Sequence, residues 1–510
     1  MIFLTSKVLT EEYKFNSVVC SLRRLINFER VLTENFAAIT FCLIIIFGVA
    51  IRIVTPPYQV ADEINHFARA WQVSEGKLLA QTEQVRLIED GDNPTTKNQV
   101  GWSCKGGRVT LHDEGEKFFV AEVPRSLMPP EFVADIINKY HLIKFDMAEK
   151  FISTPLDVEV TEWHLIPNTG SYSPLAYLPQ AVIAFLGRSL NFCAGTIYYL
   201  MSLGALIFCA FCVFGAMKLL PEKKILIFLL AMMPMFLTEI SSTSADAIIY
   251  GATLFGAAWL LSLRRRGEKI SSAEIFGLIT LAITLGLLKQ VYGAILLLYF
   301  LIPRARFNST GQFIGLGLSL LIIDLTISSA WLYLSSDGGR VPLFTGFYMG
   351  LEGIDAVAQK QFMLAHPTEF LTAFAASVIK PDIWFAKTFI GVLGIVNLYF
   401  PIIFYFAYVV MLIIGATVGD LNLKFRERLL MIFIALVTML GVFAVEYLIW
   451  SPVGAELIAG VQGRYFIPVA LIAFASLSLF NPPRFSFAIT FVFGVASALS
   501  TLWILFSRLY

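Results

Sequence analysis

The feature that most constrains this chain is a recurrence of apolar runs about 20 residues long, each sufficient to cross roughly 30 Å of hydrocarbon. They begin near Phe36, Thr196, Ile225, Ala245, Phe313, Tyr399, Leu429, Phe466 and Phe485. Residues 275–302 form a stretch too long for one crossing, with Lys289 in its middle, and read as two short helices that meet at that lysine. Backbone polar groups inside lipid must find partners within their own segment, so such runs fold as helices. Of 510 residues, 57% are hydrophobic and 15% charged, which excludes an ordinary soluble domain. The expected fold is an all-α polytopic membrane protein with about 11 transmembrane helices. A net charge of +1 gives no electrostatic basis for binding nucleic acid.

Lys and Arg near helix ends set the orientation, because they collect on the cytoplasmic side. Residues 1–35 carry Lys7, Lys14, Arg23, Arg24 and Arg30 and no small-residue cleavage site follows the first apolar core, so they read as a cytoplasmic tail before a retained helix at 36–54. Lys218 with Lys223 and Lys224, Arg264 to Arg266, Arg304 with Arg306, and Lys424 with Arg426 and Arg428 are then also inside. Parity holds if 172–189, short and holding Pro174 and Pro179, dips into the membrane or lies on it without crossing. The map has the N-terminus inside and the C-terminus outside, with an extracytoplasmic loop at 55–171 and a transmembrane bundle at 172–333. A second extracytoplasmic segment follows at 334–387, then a C-terminal bundle at 388–510. The first loop is expected to hold short surface helices and irregular chain. Cys209 and Cys212, although spaced CxxC, lie in an apolar run and read as packing residues. Cys104 and Cys193 both fall outside the membrane on this map, where a disulfide can form.

Asp62 and Glu63 follow the first apolar run directly, in PPYQVADEINHFARAWQVSEGK. Pro56 and Pro57 end the first helix, and residues 61–74 read as a new helix closed by Gly76. Ile64, Phe67, Ala68 and Trp71 form a helical apolar stripe, with Asp62, His66 and Arg69 on the opposite side, so the helix is expected on the membrane surface with its polar face toward a cavity. The bland alternative is an acidic helix start that suits the helix dipole.

Four stretches carry a family resemblance: PPxxxxDExxHxxRAxxxSEG at 56–76, YSPLAYLPQ at 172–180, SADA at 244–247 and GVQGRYFIP at 460–468. In that order they resemble the bacterial integral-membrane family known as domain of unknown function family 2142, from about residue 40 to 480. That family in turn resembles the glycosyltransferase-C superfamily, whose members take sugar from a polyprenyl phosphate and carry an acidic motif in the first external loop. The resemblance implies that Asp62 is a general base, with Glu63 as neighbour or substitute. Such a base takes the acceptor hydroxyl's proton as it attacks the anomeric carbon. The leaving lipid phosphate needs positive donors, and Arg464, Lys289, Arg69 and His66 are external cations, an arginine fork being the best match for phosphate. Each has a plainer alternative: Lys289 snorkelling from a helix end, Arg464 a topological flank, His66 and Arg69 a solvated face. Gln462 and Tyr465 flank Arg464 in its motif and complete the candidate substrate-binding set with Asp246. Ser244 and Asp246 either bind sugar hydroxyls or cap the helix that follows. Tyr172, Pro174, Tyr177 and Pro179 read as shaping a kinked helix.

No HxxEH cluster occurs, and the one DxD spacing, at Asp90 and Asp92, is followed by Asn-Pro and reads as a turn. No metal or cofactor is therefore expected, although His66, Glu63 and Asp246 have the chemistry of divalent-cation ligands. No phosphate-loop or dinucleotide motif is present. The expected activity is transfer of a sugar from a polyprenyl-phosphate donor to a cell-surface glycan on the outer face of a bacterial plasma membrane, with membrane lipids as surroundings and no nucleic acid. The first rival is a polyprenyl-linked glycan polymerase or ligase, which relies on a later external loop. The second is a lipid-carrier flippase, expected to show repeat symmetry and charges in mid-helix; Asp324 and Glu446 are the few such charges here.

Overall fold

The computed structural model describes residues 29, 31–88, 99–102, 108–111, 116–129, 145–341, 353–380, 383–479 and 486–509. The basic tail before residue 29, the turn holding Asp90 and Asp92, and Cys104 lie outside these residues. In chain order the elements begin with helices α1 (Val31–Val54) and α2 (Glu63–Ser74). Strands β1 (Gln81–Ile88), β2 (Gln99–Trp102), β3 (Arg108–Leu111) and β4 (Glu116–Pro124) follow, then α3 (Phe145–Ser153) and β5 (Thr161–Leu165). Next come α4 (Leu178–Ser189), α5 (Ala194–Leu219), α6 (Lys224–Ala231), α7 (Pro234–Ile240), α8 (Asp246–Leu263) and α9 (Ser272–Leu288). A 3-10 segment at Gln290–Leu301 leads to α10 (Thr310–Ser335), α11 (Ala356–Ala365), α12 (Pro367–Ile379) and α13 (Trp384–Ile390). The paired strands β6 (Val392–Leu393) and β7 (Leu398–Tyr399) precede α14 (Ile402–Thr417), α15 (Phe425–Trp450), α16 (Ile467–Ala475) and α17 (Ser486–Leu509).

Six of these helices are long and apolar enough to cross a membrane, namely α1, α5, α8, α10, α15 and α17. A seventh span results if α11 and α12, bent by 106°, count as one. The remaining apolar runs are divided into shorter pieces, each with a local cause. Pro234 at the start of α7 cannot continue α6, so the run at Ile225 breaks there. Lys289 is extended (φ −161°, ψ 119°) and separates α9 from the 3-10 segment, the division its position in the sequence predicts. At the start of α9, Ser271 and Glu274 form a reciprocal capping box.

The basic clusters converge on one end of the bundle. Arg264 donates to both Glu427 oxygens, and Arg306 to both Glu274 oxygens. Arg265 pairs with Glu222, the buried Lys223 donates to the carbonyls of Ala416 and Val418, and Arg428 donates to that of Ser476. From this end α8 runs back to Asp246, α9 climbs to Lys289 and α15 climbs toward Glu446, so the residues of interest gather at the other end.

Two expectations for residues 55–171 are corrected. The segment holds a five-stranded antiparallel sheet in the order β2-β3-β1-β4-β5 instead of short helices and irregular chain alone. Within it β4 pairs on both sides, Val120 with Gln81 in β1 and with Leu165 in β5, and Phe118 to Ala121 are all buried. A strand covered on both faces reads as a short continuous apolar run, as FFVA does between Lys117 and Glu122. Nor does α2 lie exposed on the membrane surface, since His66, Arg69 and Gln72 are buried along with Phe67 and Trp71. The sheet covers it, with Gln72 donating to the Val120 carbonyl at 2.9 Å, and α4 runs beside it from Tyr177, next to His66, to Arg188, next to Ser74. At 12 residues α4 is about 18 Å long, too short to cross.

Candidate functional site

The two adjacent acids have opposite surroundings. Glu63 turns inward and is fully buried; its Oε1 accepts from Arg52 Nη1 at 2.6 Å and from the Thr243 amide at 3.1 Å. Arg52 also donates to the carbonyls of Thr55 and Pro56, at the end of the first helix where orphan carbonyls need donors. Glu63 is thus enclosed in a structural ion pair, out of reach of a substrate, and not a base beside Asp62. Asp62 adopts the left-handed region (φ 58°, ψ 3°), uncommon for a residue with a Cβ, and makes no capping bond to α2. Its side chain turns outward instead and keeps 39% of its surface open. Oδ1 accepts from Asn168 Nδ2 at 3.0 Å and Oδ2 from Arg464 Nη2 at 2.6 Å.

Arg464, 3% exposed, spends its other terminal nitrogen on Glu239, donating from Nη1 at 2.8 Å. The expected phosphate fork is therefore a bridge between two carboxylates, one accessible and one (Glu239, 1% exposed) deep in the bundle. The glycines of its motif have steric causes. A side chain on Gly463 would overlap the backbone of Phe385 and Phe389 in α13, and the Gly463 amide donates to Thr388 Oγ1 at 2.7 Å. Gly460 has φ +80° and lies where a Cβ would come within 2.7 Å of Glu446 Oε2. Tyr250 and Tyr292 hydroxyls donate to the Arg464 and Tyr465 carbonyls, fixing the turn that presents Arg464.

Around this bridge stand most of the remaining candidates. Lys289 lies over the rings of Tyr465 (4.8 Å) and Tyr172 (5.9 Å) and has no ion pair among the described residues. His66 Nδ1 shares a 2.8 Å hydrogen bond with the Tyr177 hydroxyl, and its ring meets Tyr172 edge-on. Asp246, half-buried, faces His66, Lys289 and Arg464 through the electrostatic field without a contact ion pair among the described residues. Gln462 Oε1 is buried and without a donor. Ser244 takes the capping alternative, its Oγ accepting from the Asp246 amide at 3.1 Å. Arg69 does not join the group: it donates to the carbonyls of Lys77 and Leu78 and to Gln72, closing the C-terminal turn of α2 where Gly76 (φ +81°) reverses the chain.

Burial pushes the Asp62 carboxyl up, but Arg464, His66 and Lys289 outweigh it and hold it below the ordinary carboxylate range. Burial likewise lowers His66, to about 4, against the pull of Asp246 and Asp62, so the imidazole is neutral at neutral pH. The recess therefore offers a carboxylate with one open side, an uncommitted ammonium, a neutral imidazole and tyrosine walls, a set suited to hydroxyl and phosphate groups. Beside it, Ser377, Lys380, Trp384, Leu457 and Gly460 line a cavity of about 240 Å³. No group of three His, Cys, Asp or Glu side chains among the described residues has metal-binding geometry.

Glu239 is the site residue that sequence reasoning missed. It sits inside the apolar run PMFLTEI, with no motif around it. A lone acid in such a run was the available signal, since a buried charge needs a partner.

The profile of the family described as "Predicted membrane protein (DUF2142)" matches residues 155–473. The match takes in β5 and the 172–180, 244–247 and 460–468 stretches, and begins after Asp62 and strands β1 to β4. Searches of curated proteins and of solved structures found no match. With well over half its length matched, and with several apolar helices long enough to span a bilayer, the chain belongs to the domain of unknown function family 2142 of predicted membrane proteins.

Proposed function

We propose that this protein is a glycosyltransferase of the bacterial plasma membrane, with a glycosyltransferase-C-like arrangement of about 11 crossings. It moves a sugar from a polyprenyl-phosphate donor to a glycan acceptor at the outer face. The observation that carries the reading is the Asp62–Arg464–Glu239 array. An ion triad this deep does about as well for stability as apolar packing would. Its value lies in position: it holds one carboxylate ionised, accessible and aimed into a tyrosine-walled recess at the end of the bundle away from the basic clusters.

In the proposed reaction the acceptor hydroxyl hydrogen-bonds to Asp62. Its oxygen forms a bond to the anomeric carbon as the bond from that carbon to the phosphate oxygen breaks, and Asp62 takes the proton. A carboxylate held below its usual range is a weak base, so the proton moves late, once the attacking oxygen has become acidic. The polyprenyl phosphate leaves with its bonding electrons, and the developing charge meets Lys289, which lies against Tyr172 and Tyr465 with no ion pair among the described residues. Neutral His66 and the tyrosine hydroxyls supply hydrogen bonds to the sugar. The apolar helix faces beside the recess suit the carrier's hydrocarbon.

Purified protein supplied with a panel of radiolabelled polyprenyl-phosphate sugars and a cell-envelope glycan tests the reading. Label should leave the lipid for the glycan with at least one donor, and should not do so with Asp62→Asn. Retention of all label on the lipid with every donor would remove the proposal and favour the carrier-transport alternative.

A further inference from the structure

A buried polar atom without a partner needs a physical explanation, and one that borders a functional site is a candidate contact for its ligand. Glu446 carries one. It lies on α15, one turn before the end at Trp450, is 7% exposed, and its Oε2 has no hydrogen-bond donor. It makes no ion pair among the described residues, yet it faces Lys289, Arg464 and Asp62 through the electrostatic field and stands beside Tyr465. Gly460, with φ +80°, passes close beside it, where any side chain would meet Oε2 at 2.7 Å and the Trp450 side chain as closely, so only a glycine leaves this oxygen uncovered by a side chain there. Gln462 Oε1, two residues along the same turn, is likewise buried and without a donor.

The chemistry of the missing partner follows from the neighbours. A phosphate is repelled by a carboxyl oxygen. A metal ion would need a third acidic or imidazole ligand nearby, and no such group of three exists among the described residues; Lys289 and Arg464 would also repel it. What remains is a neutral hydrogen-bond donor, and orphan acceptors on adjacent elements match a ligand with several hydroxyls. We propose that Glu446 accepts a hydrogen bond from one hydroxyl of the donor's sugar, with Gln462 beside it, and thereby selects which sugar the enzyme transfers. This rests on the transferase reading above. It assigns the sugar to the α15 side of the recess, with Asp62 left to the acceptor and Lys289 to the phosphate.

The test compares wild type, Glu446→Gln and Glu446→Ala on polyprenyl-phosphate hexoses and on the same donors lacking one hydroxyl at a time. One deoxy donor should cost wild type at least ~100-fold in kcat/KM, since a site built to bind a hydroxyl rejects the analogue without it. Glu446→Ala should lose a similar factor on the intact sugar and nothing further on that deoxy donor, while Glu446→Gln, which keeps an acceptor oxygen, should retain part of the discrimination. If both variants rank the deoxy series as wild type does, or lose the same factor on every donor, Glu446 is a packing residue and the proposal falls although the transferase reading stands. A wild-type protein that transfers from none of the donors removes both. Thermal unfolding in detergent identifies a misfolded Glu446→Ala, in which case the better-tolerated Glu446→Gln decides.

Discussion

Replacing Arg464 with lysine separates the two tasks of the bridge. The guanidinium reaches Glu239 and Asp62 with different nitrogens, at 2.8 and 2.6 Å. One ammonium on a shorter fork cannot span both. It should stay with Glu239, because an unpaired carboxylate that deep costs about 3–5 kcal/mol while Asp62 can turn to water. The stability loss is then one charge-assisted hydrogen bond, about 1.5–3 kcal/mol when fully buried. Asp62 keeps 39% of its side chain open, so solvent screening brings this to about 1 kcal/mol. Activity should suffer more, since misplacing a reacting group by about 1 Å costs on the order of 100-fold. Asp62 would also lose the positive neighbour that holds it below the carboxylate range. Turnover that wild type keeps as pH falls should be lost earlier in the variant, with the acid limb moving up. The assay is donor turnover against pH, with thermal unfolding in parallel. An Arg464→Lys protein with wild-type kcat and an unmoved acid limb, lowered only in folding yield, would show that Arg464 is a structural flank and that the positioning argument is wrong.

The acid pair should divide by mutation: Asp62→Asn folds and loses roughly 100- to 10,000-fold in turnover, whereas Glu63→Gln strands the buried Arg52 and costs about 3–5 kcal/mol in unfolding; equal behaviour in both assays would contradict the two environments. Lys289→Ala should raise KM for the lipid donor with little effect on thermal stability, and Lys289→Arg should restore part of it; unchanged donor KM would remove Lys289 from the phosphate. Burial holds His66 and His164 each near 4, so the unfolded chain binds more protons between pH 6.5 and 4. Stability present above about 6.5 should therefore drain away toward 4, with a shallower slope in His66→Gln; a slope of opposite sign would refute the burial argument. In a cysteine-free background, Arg340→Cys and Leu457→Cys should label with an impermeant thiol reagent from outside intact cells, and Gly267→Cys and Phe425→Cys should not; outside labelling at 267 would invert the map.

The long spans were legible because lipid imposes one rule on every crossing segment, and twenty apolar residues satisfy it whatever surrounds them. The break at Lys289 was legible for the same reason, since a charge in mid-run is costly. Short apolar runs obey no such rule. KFFVAEV and TEWHL are weak strand signals, because stretches of five to seven residues that mix apolar and charged side chains fix neither period nor partner until β1 and β5 flank β4. The membrane-surface placement of α2 fails for a related reason: part of its polar side faces neither cavity nor water, because Arg69 and Gln72 satisfy the carbonyls of Lys77 and Val120. A helical wheel distinguishes polar from apolar; it does not distinguish water from a peptide carbonyl.

The site divides along the same line. Asp62 and Arg464 stood out in separate stretches, each beside helix-ending signals, and the fold brings them to 2.6 Å across 402 residues of sequence. Glu63, adjacent to Asp62 and chemically its equal, points the other way, because consecutive residues at a helix start diverge by about 100° and only one can face the recess. Glu239 and Glu446 had no sequence context that distinguished them from stray acids in apolar runs. Yet both are nine-tenths or more buried, Glu239 in contact with Arg464 at 2.8 Å and Glu446 facing it through the electrostatic field, and a bundle that has to bury a guanidinium needs carboxylates near it. The inference could have run in reverse. A lone arginine in GVQGRYFIP, flanked by glycines that crowd the backbone, has too little room to reach water, so beside Asp62 it needs a counter-charge from an acid hidden in an apolar run elsewhere. Among residues 222–450 those runs offer few, and Glu239, Asp324 and Glu446 are the ones that stand alone. Glu239 is the one of the three that pairs with the arginine, whose second partner, Asp62, comes from the first loop.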